Sequence, residues 1–183
     1  DLREMTAADS GTPLEQGAMR MFAHTPEISK GLTAFAGSLK QNRSLPNRLV
    51  ELVRLRVAFH NQCRSCMAIR YKDGQEDGIT EDLVCSLEKP MEADNLSDAE
   101  KAAIQYGELF ATNHLAINDD TYDNLRKYFN ESEIVELSMT VAFFVGFGRL
   151  AASYHMVEEL PESFQANEKE TLTPWGNDSI IVR

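Results

Sequence analysis

Apolar residues recur at helical spacing along most of the chain, and its body has no convincing alternating pattern of the kind that predicts a strand. The first predicted helix begins at Thr25-Pro26, because proline fits the first turn of a helix. Its apolar positions fall on one face, at Ile28, Leu32, Phe35 and Leu39. The next helix begins near 44–46 and is expected to run to about His60. The pattern therefore predicts an all-α protein.

Capping residues predict four further helix starts. They are Thr80, Ser97, Asn118 and Asn130. The helix after Thr80 is expected to end near Lys89-Pro90, the one after Ser97 near Thr112, and the long one after Asn130 at about Glu159, before Pro161. The middle of this long helix is apolar nearly all round, so we interpret it as core or subunit interface, with a cofactor groove as the alternative.

The chain beyond Gln165 is polar and rich in turn residues before a final Ile180-Ile181-Val182, which predicts an extended tail whose apolar end docks on a partner subunit. The 183 residues fit one domain. We place this domain over 1–183, with its core at about 45–160 and the tail at 165–183. No internal repeat is visible.

Charge and cysteine content narrow the class of function. The net charge of -11 disfavours nucleic acid and anionic membrane surfaces as partners, because both are bound mainly through Lys and Arg. The longest uninterrupted apolar stretch, around Val141–Phe147, is far shorter than the roughly 20 residues that cross a bilayer. Three cysteines do not make a secreted disulfide framework, so we expect a cytoplasmic protein.

Candidate chemistry is concentrated in residues 51–71. Cys63 and Cys66 form a C-x-x-C at a predicted helix start, and we expect that helix to continue through Tyr71. A helix N-terminus favours thiolate over thiol, and a thiolate attacks peroxide oxygen to give a sulfenic acid. A second thiol then captures the sulfenic acid as a disulfide. The pair is therefore predicted to be a redox-active dithiol.

Two charged residues are candidates to assist the dithiol. Arg70 lies four residues after Cys66, hence on the same face of the predicted helix, where a fixed cation would lower the thiol pKa. Proton transfer needs Glu51, water or a histidine, because arginine stays protonated. Glu51 lies twelve residues before Cys63 and reaches it only if the helix breaks at 61–62.

The segment resembles the carboxymuconolactone decarboxylase superfamily, specifically its alkyl hydroperoxidase D-like branch. That branch carries a Glu, a C-x-x-C twelve residues later and usually a His four after the second Cys; here the Glu is Glu51 and the cysteines are Cys63 and Cys66. The similarity extends from about Leu45 through LSDAEKAAIQYGELFAT to GRLAASYH. It implies an all-helical fold, homo-oligomers, attack on peroxide by Cys66, resolution by Cys63, and a proton relay through Glu51.

Two positions depart from the family pattern, since Ser65 and Arg70 stand where relay histidines are usual. Alternatives therefore stay open. The cysteines are otherwise a reduced, inactive pair or half of a zinc site, although no second C-x-x-C or histidine pair completes one. Glu51 is otherwise a surface carboxylate paired with Arg48 or Arg54. We predict no metal and no cofactor.

Other candidates are weaker. His60 is the histidine close enough in sequence to replace the missing relay residues, and Tyr154 and His155 are more distant alternatives. Cys85 falls on an apolar helix face and is expected to be a small buried residue.

The sequence thus favours a peroxide-reducing thiol oxidoreductase in which Cys66 attacks, Cys63 resolves, Glu51 assists proton transfer and Arg70 supports the thiolate. Its expected partners are a small hydroperoxide, a thiol reductant and further copies of the chain. The alternatives are a small-molecule-binding protein and a lactone or decarboxylase chemistry on the same fold, with an inactive C-x-x-C.

Overall fold

A computed structural model describes residues 13–157, 160–165, 170–176 and 180–183, with the backbone alone for 13–16. The fold is all-α. The helices are α1 (Pro13–Phe22), α2 (Pro26–Gln41), α3 (Asn47–Asn61), α4 (Arg64–Ala68), α5 (Lys72–Glu76), α6 (Glu81–Cys85), α7 (Asp98–Thr112), α8 (Asp119–Leu125), α9 (Glu131–Ser153) and α10 (Glu162–Gln165). Three 3₁₀ turns lie at Ser86–Glu88, Pro90–Glu92 and His114–Ala116. Strands β1 (Ile69–Arg70) and β2 (Ile181–Val182) pair in parallel.

Helix α3 is the central element, because it packs against α7, α9 and α5. Its apolar residues are therefore buried on several faces rather than on one stripe; Leu52, Val53, Leu55 and Val57 are all fully buried. Gly107 on α7 allows the close approach, since a Cβ there would lie 3.0 Å from the Val53 side chain. Helix α3 leads directly into the C-x-x-C, so this core fixes the position of the site.

The four helix starts predicted from capping residues are confirmed at their caps, whereas Thr25 precedes α2 without a side-chain cap hydrogen bond. Thr80 accepts a hydrogen bond from the Leu83 N–H, and Ser97, Asn118 and Asn130 each form a capping box with the residue three positions on. The predicted break after α3 is also confirmed, because Gln62 has a left-handed backbone with φ of 50°.

Three local expectations are wrong. The C-x-x-C helix ends at Ala68, and Ile69-Arg70 become β1, because the end of the chain supplies a pairing strand that local spacing does not reveal. Helix α9 ends at Ser153 and not near Glu159, with His155 at φ of 48°; Glu159 itself lies outside the described residues. Cys85 is exposed rather than buried, since it sits in the last turn of the short α6 with Leu83 and Val84 facing the core.

Helix α9 is long and apolar enough to span a membrane by length and composition alone, a test that core helices also pass. Seven of its residues are buried, and it packs against α3, α7, α4 and α2. Helix α9 thus packs on the core through these seven residues, while others, such as Val135 and Met139, are exposed.

The described parts of the tail lie on the chain itself, where the sequence suggested a partner subunit. Trp175 is buried against the Phe59 ring at 4.9 Å between centroids, and Leu172 exchanges two hydrogen bonds with the Gln62 side chain. Strand β2 pairs with β1 immediately after the C-x-x-C helix. The tail therefore holds the dithiol segment from both sides.

Candidate active site

Cys63 and Cys66 are joined as a disulfide, with an S–S distance of 2.06 Å and Cα atoms 5.2 Å apart. Cys63 is the N-cap of α4, and its sulfur accepts the Cys66 N–H at 3.4 Å. The left-handed Gln62 turns the chain at the end of α3, which brings the C-x-x-C back against that helix. The predicted pairing of the two cysteines is thus present in the fold.

The two sulfurs have different surroundings. Cys63 is fully buried, at 0% exposure, whereas Cys66 is partly exposed and lines a cavity. An incoming reagent therefore meets Cys66 first. This asymmetry matches the assignment of Cys66 as the attacking and Cys63 as the resolving cysteine.

The cavity over Cys66 has a volume of about 370 Å³ and is mainly apolar. Four phenylalanines form much of its wall: Phe22, Phe143, Phe144 and Phe147. The rings of Phe143 and Phe147 are stacked, with centroids 5.5 Å apart. The aromatic residues that the sequence pattern assigned to core or interface thus line a binding space next to the dithiol.

Glu51 is buried, and its carboxylate forms a two-pronged ion pair with Arg54 at 2.6 and 2.7 Å. Arg54 also donates to the backbone carbonyls of Cys66 and Ile69, at 2.6 and 2.7 Å. Burial by itself lowers the pKa of the Arg54 guanidinium, but the charge and hydrogen bonds of Glu51 outweigh it and raise that pKa. Glu51 is therefore linked to the dithiol through a fixed cation.

The alternative interpretation of Glu51, a surface carboxylate paired with Arg48 or Arg54, is partly wrong. Arg54 is its partner, as that alternative supposed, but the pair is buried and holds the C-x-x-C backbone. Arg54 lines the cavity beside Cys66, and its guanidinium lies 4.8 Å from the centre of the Tyr71 ring. No motif in the sequence gives Arg54 a role of its own; its spacing three residues after Glu51 is the signal that the sequence carries.

Arg70 does not share a helical face with Cys66, because it lies on β1 beyond the end of α4. It is fully buried, pairs with Glu81 at 2.9 and 3.0 Å, and donates to the carbonyls of Met67 and Pro174. The guanidinium thus joins α6 and the tail to the dithiol segment. The contacts of Arg70 therefore hold segments of the chain together.

His60 points towards α7, where its Nε2 lies 3.1 Å from Glu108 Oε1. Arg56 binds the same carboxylate at 2.8 and 3.3 Å. His60 is the first cause, and Arg56 a further one, that lowers the pKa of Glu108 to about 2. The predicted candidate His60 is therefore engaged in a separate charge cluster.

A second, more polar cavity of about 370 Å³ adjoins the first and shares Ser65 with it. Its lining includes Asn61, Gln62, Arg64, His155, Glu170 and Thr171. Ser65 itself is buried and lines both cavities, and its Oγ lies 3.5 Å from Cys63 Sγ. Ser65, where the sequence resemblance leads us to expect a histidine, thus touches the Cys63 sulfur.

Residues 26–109 match the carboxymuconolactone decarboxylase family. Two curated relatives are uncharacterised proteins: YdfG of Bacillus subtilis, 28% identical over 92 residues, and Rv2313c of Mycobacterium tuberculosis, 29% identical over 121 residues. These matches cover 50% and 64% of the chain. They span 63% of YdfG and 42% of Rv2313c, so the chain covers less than two thirds of either relative.

Solved structures share the fold. A protein of unknown function from Agrobacterium tumefaciens, described as a candidate antioxidant defence protein AhpD, has a TM-score of 0.64 at 21% identity over 77% of this chain and 95% of its own. A peroxidase-related AhpD-core protein from Ralstonia eutropha has a TM-score of 0.62 at 18% identity, covering 83% and 80%. A cysteine-to-alanine variant of the debrominase Bmp8, bound to 2,3,4-tribromopyrrole, gives 0.65 at 14%, covering 84% and 80%.

The family match contains Glu51, Cys63 and Cys66 together, and the folded chain brings the two cysteines into a disulfide. The matched structures have the same helical architecture. Residues 26–109 are thus similar to the carboxymuconolactone decarboxylase family, and the chain shares its helical fold with the AhpD-like structures.

Proposed function

We propose that the protein reduces organic hydroperoxides with its dithiol and is itself restored by a thiol reductant. The observation that carries the proposal is a C-x-x-C disulfide whose Cys66 lines an apolar cavity while Cys63 is buried behind it. An apolar cavity of about 370 Å³ suits the organic part of a hydroperoxide better than hydrogen peroxide.

The proposed cycle balances in three steps. The Cys66 thiolate attacks a peroxide oxygen, the O–O bond breaks, and the products are a sulfenic acid on Cys66 and, after uptake of one proton, an alcohol. The Cys63 thiol then attacks the Cys66 sulfur, and the S–S bond of the disulfide forms. The sulfenic oxygen leaves as water. A dithiol reductant reduces the disulfide by exchange and is oxidised to its own disulfide.

Glu51 and Arg54 have complementary parts in this proposal. Arg54 provides positive charge at the Cys66 backbone and the cavity wall, which favours the thiolate. Glu51 holds that guanidinium, so its assistance to proton transfer is indirect in the oxidised state described here. We assign Arg70 and His60 no part in the cycle, because neither faces the Cys66 cavity. Arg70 contacts Glu81, and His60 contacts Glu108.

The test is consumption of cumene hydroperoxide by the reduced protein in the presence of dithiothreitol. We expect Cys66→Ser to lower the rate at least about 100-fold, because the attacking thiolate is absent. Cys63→Ser should form the sulfenic acid once and then stop. Cys85→Ser is the matched control, since Cys85 is an exposed cysteine outside the pair, and it should retain the wild-type rate. Equal consumption by wild type and Cys66→Ser contradicts the proposal.

A second candidate is reductive dehalogenation of an aromatic compound, favoured by the phenylalanine-lined cavity and the fold shared with the debrominase Bmp8. Two thiols would supply the electrons, so that an aryl bromide and the dithiol give the arene, the disulfide, bromide and a proton. Bromide release from a brominated pyrrole by the reduced protein, absent in Cys66→Ser, would favour this reaction over peroxide reduction.

The non-redox alternatives, small-molecule binding and lactone or decarboxylase chemistry, predict an ordinary Cys66 thiol. The rate of iodoacetamide alkylation against pH separates them from both redox reactions. A Cys66 pKa near ~8.5, the unperturbed value, would favour a non-catalytic dithiol. A lower pKa would favour the proposed thiolate.

The proposal also includes the oligomeric state, the cellular location and the partners of the protein. We expect homo-oligomers, because α9 exposes an apolar stripe that includes Val135, Met139 and Leu150. We expect a cytoplasmic location, where thiol reductants keep such a dithiol reduced. The net charge of -11 argues against nucleic acid or an anionic membrane as a partner.

A further inference from the structure

Ser65 contacts the Cys63 sulfur through its hydroxyl and also lines the polar cavity. Its Oγ is 3.5 Å from Cys63 Sγ, and the same side chain lines both the polar cavity and the apolar cavity over Cys66. Ser65 is buried, so packing fixes this contact. The Ser65 side chain is thus shared by the two cavities, and its hydroxyl touches the Cys63 sulfur.

The two cavities differ in their capacity to carry protons. The lining of the apolar cavity includes the cations Arg54 and Arg183, and Glu51 holds the Arg54 guanidinium in an ion pair. The polar cavity is lined by amides and hydroxyls that include Gln62 and Thr171, and such groups order water. A proton that leaves Cys63 is therefore accepted more readily by the polar cavity, which Ser65 lines, than by the apolar one.

Cys63 is fully buried, so its proton must pass through a group in direct contact with the sulfur. The sulfur's hydrogen bonds to other groups, within the described residues, are those with the Cys66 N–H and the Ser65 hydroxyl. A backbone N–H only donates, whereas a hydroxyl accepts one hydrogen bond and donates another. Ser65 is thus the contact that can pass a proton on.

We propose that Ser65 is a catalytic residue of the resolution step, relaying the Cys63 proton to water in the polar cavity. The inference rests on the proposed peroxidase function and deepens it. In this step the Cys63 S–H and the Cys66 S–OH bonds break and the S–S bond forms. The Cys63 proton passes through Ser65 Oγ to solvent, and the hydroxide leaving Cys66 takes up a proton, so one water is the net product.

This role affects one half of the cycle and not the other. Attack of Cys66 on the hydroperoxide takes place in the apolar cavity and does not use Ser65. Loss of the hydroxyl therefore slows disulfide formation but leaves sulfenic acid formation unchanged. The longer-lived sulfenic acid is then open to a second hydroperoxide, which oxidises it to a sulfinic acid.

The experiment compares wild type, Ser65→Ala, Ser65→Thr and the matched control Ser86→Ala, whose hydroxyl donates to the Asp82 carbonyl on the preceding helix α6. Reduced protein is mixed with cumene hydroperoxide, quenched at intervals, trapped with dimedone and analysed by mass spectrometry. We expect sulfenic acid to form within about 2-fold of the wild-type rate in all variants. Disulfide formation should be at least ~10-fold slower in Ser65→Ala, at the low end of general acid–base effects, with more sulfinic acid.

Ser65→Thr keeps the hydroxyl, and two adjoining cavities leave room for its methyl group, so it should restore most of the disulfide rate. A wild-type disulfide rate in Ser65→Ala, or equal slowing in Ser65→Ala and Ser65→Thr, overturns the relay. If wild type forms neither sulfenic acid nor disulfide with the hydroperoxide, the proposed function itself fails.

Discussion

At the scale of single residues, the buried pair of Glu51 and Arg54 carries the strongest electrostatic consequence. Replacing Glu51 by Gln leaves a buried guanidinium without its counter-charge, and breaking such a pair costs about 3–5 kcal/mol. We expect Glu51→Gln to lower the free energy of unfolding by about this amount in urea titrations. Glu76→Gln is the control, because Glu76 is exposed and 3.9 Å from Lys72, and it should change stability by less than ~0.5 kcal/mol. Equal stability of the two variants would contradict the importance of the pair.

Glu108 gives a pH prediction. Contacts with His60 first, and then Arg56, hold its pKa at about 2 in the folded chain, below the ordinary value of 4.5. Because the folded pKa is depressed, this stabilisation is complete above about pH 4.5 and is lost as the pH falls towards 2. Partial exposure reduces the contribution to about 1–2 kcal/mol.

Urea unfolding of wild type and Glu108→Gln between pH 2 and 7 measures this contribution. The stability difference between the two proteins should shrink as the pH falls below about 4.5, since wild type alone carries the titrating group. A difference that stays constant over the whole range would be inconsistent with a depressed pKa.

At the scale of secondary-structure elements, the contact between α3 and α9 depends on one glycine. A Cβ at Gly148 would lie 2.5 Å from Asn61 Nδ2, which donates to the Phe144 carbonyl at 2.9 Å. We expect Gly148→Ala to displace Asn61 and to cost about 1–3 kcal/mol despite alanine's better helix propensity. Thermal unfolding monitored by circular dichroism measures the change.

Gly146→Ala on the same helix is the matched control, because nothing lies within 4 Å of a Cβ there. Alanine in an exposed helix position should stabilise the protein by up to about 1 kcal/mol. If both variants shift the melting temperature in the same direction, the close approach of Asn61 is not what requires Gly148.

At the scale of the whole molecule, the tail is attached to the dithiol segment through Arg70, and its docking can be followed by fluorescence. Trp175 is the single tryptophan of the sequence and is buried against Phe59 and Arg56. Arg70→Met removes the bonds to Glu81 and to the Pro174 carbonyl, at a cost of about 2 kcal/mol. We expect the tryptophan emission of this variant to shift to longer wavelength before the helices melt.

Arg126→Met is the control for this experiment. Arg126 pairs with Asp123 and Glu131, but all three side chains are largely exposed, so the variant should lose less than ~0.5 kcal/mol and keep the wild-type emission. A red shift in both variants would show that the Arg70 contacts do not hold the tail.

The helical class, most helix starts and the position of the dithiol can be predicted from the amino-acid sequence alone. Caps such as Ser97 with Glu100 act over three residues, and the spacing of Glu51, Cys63 and Cys66 is local, so no tertiary contact was needed to predict them. Other features depend on contacts between residues far apart in the chain, and only the folded structure shows them. The C-x-x-C helix ends at Ala68 because the next two residues pair with residues 181–182 as a strand. Arg70 lies on that strand and binds Glu81 and the Pro174 carbonyl of the tail. The folded structure also gathers distant phenylalanines around Cys66, because packing, unlike capping, joins residues far apart in the chain.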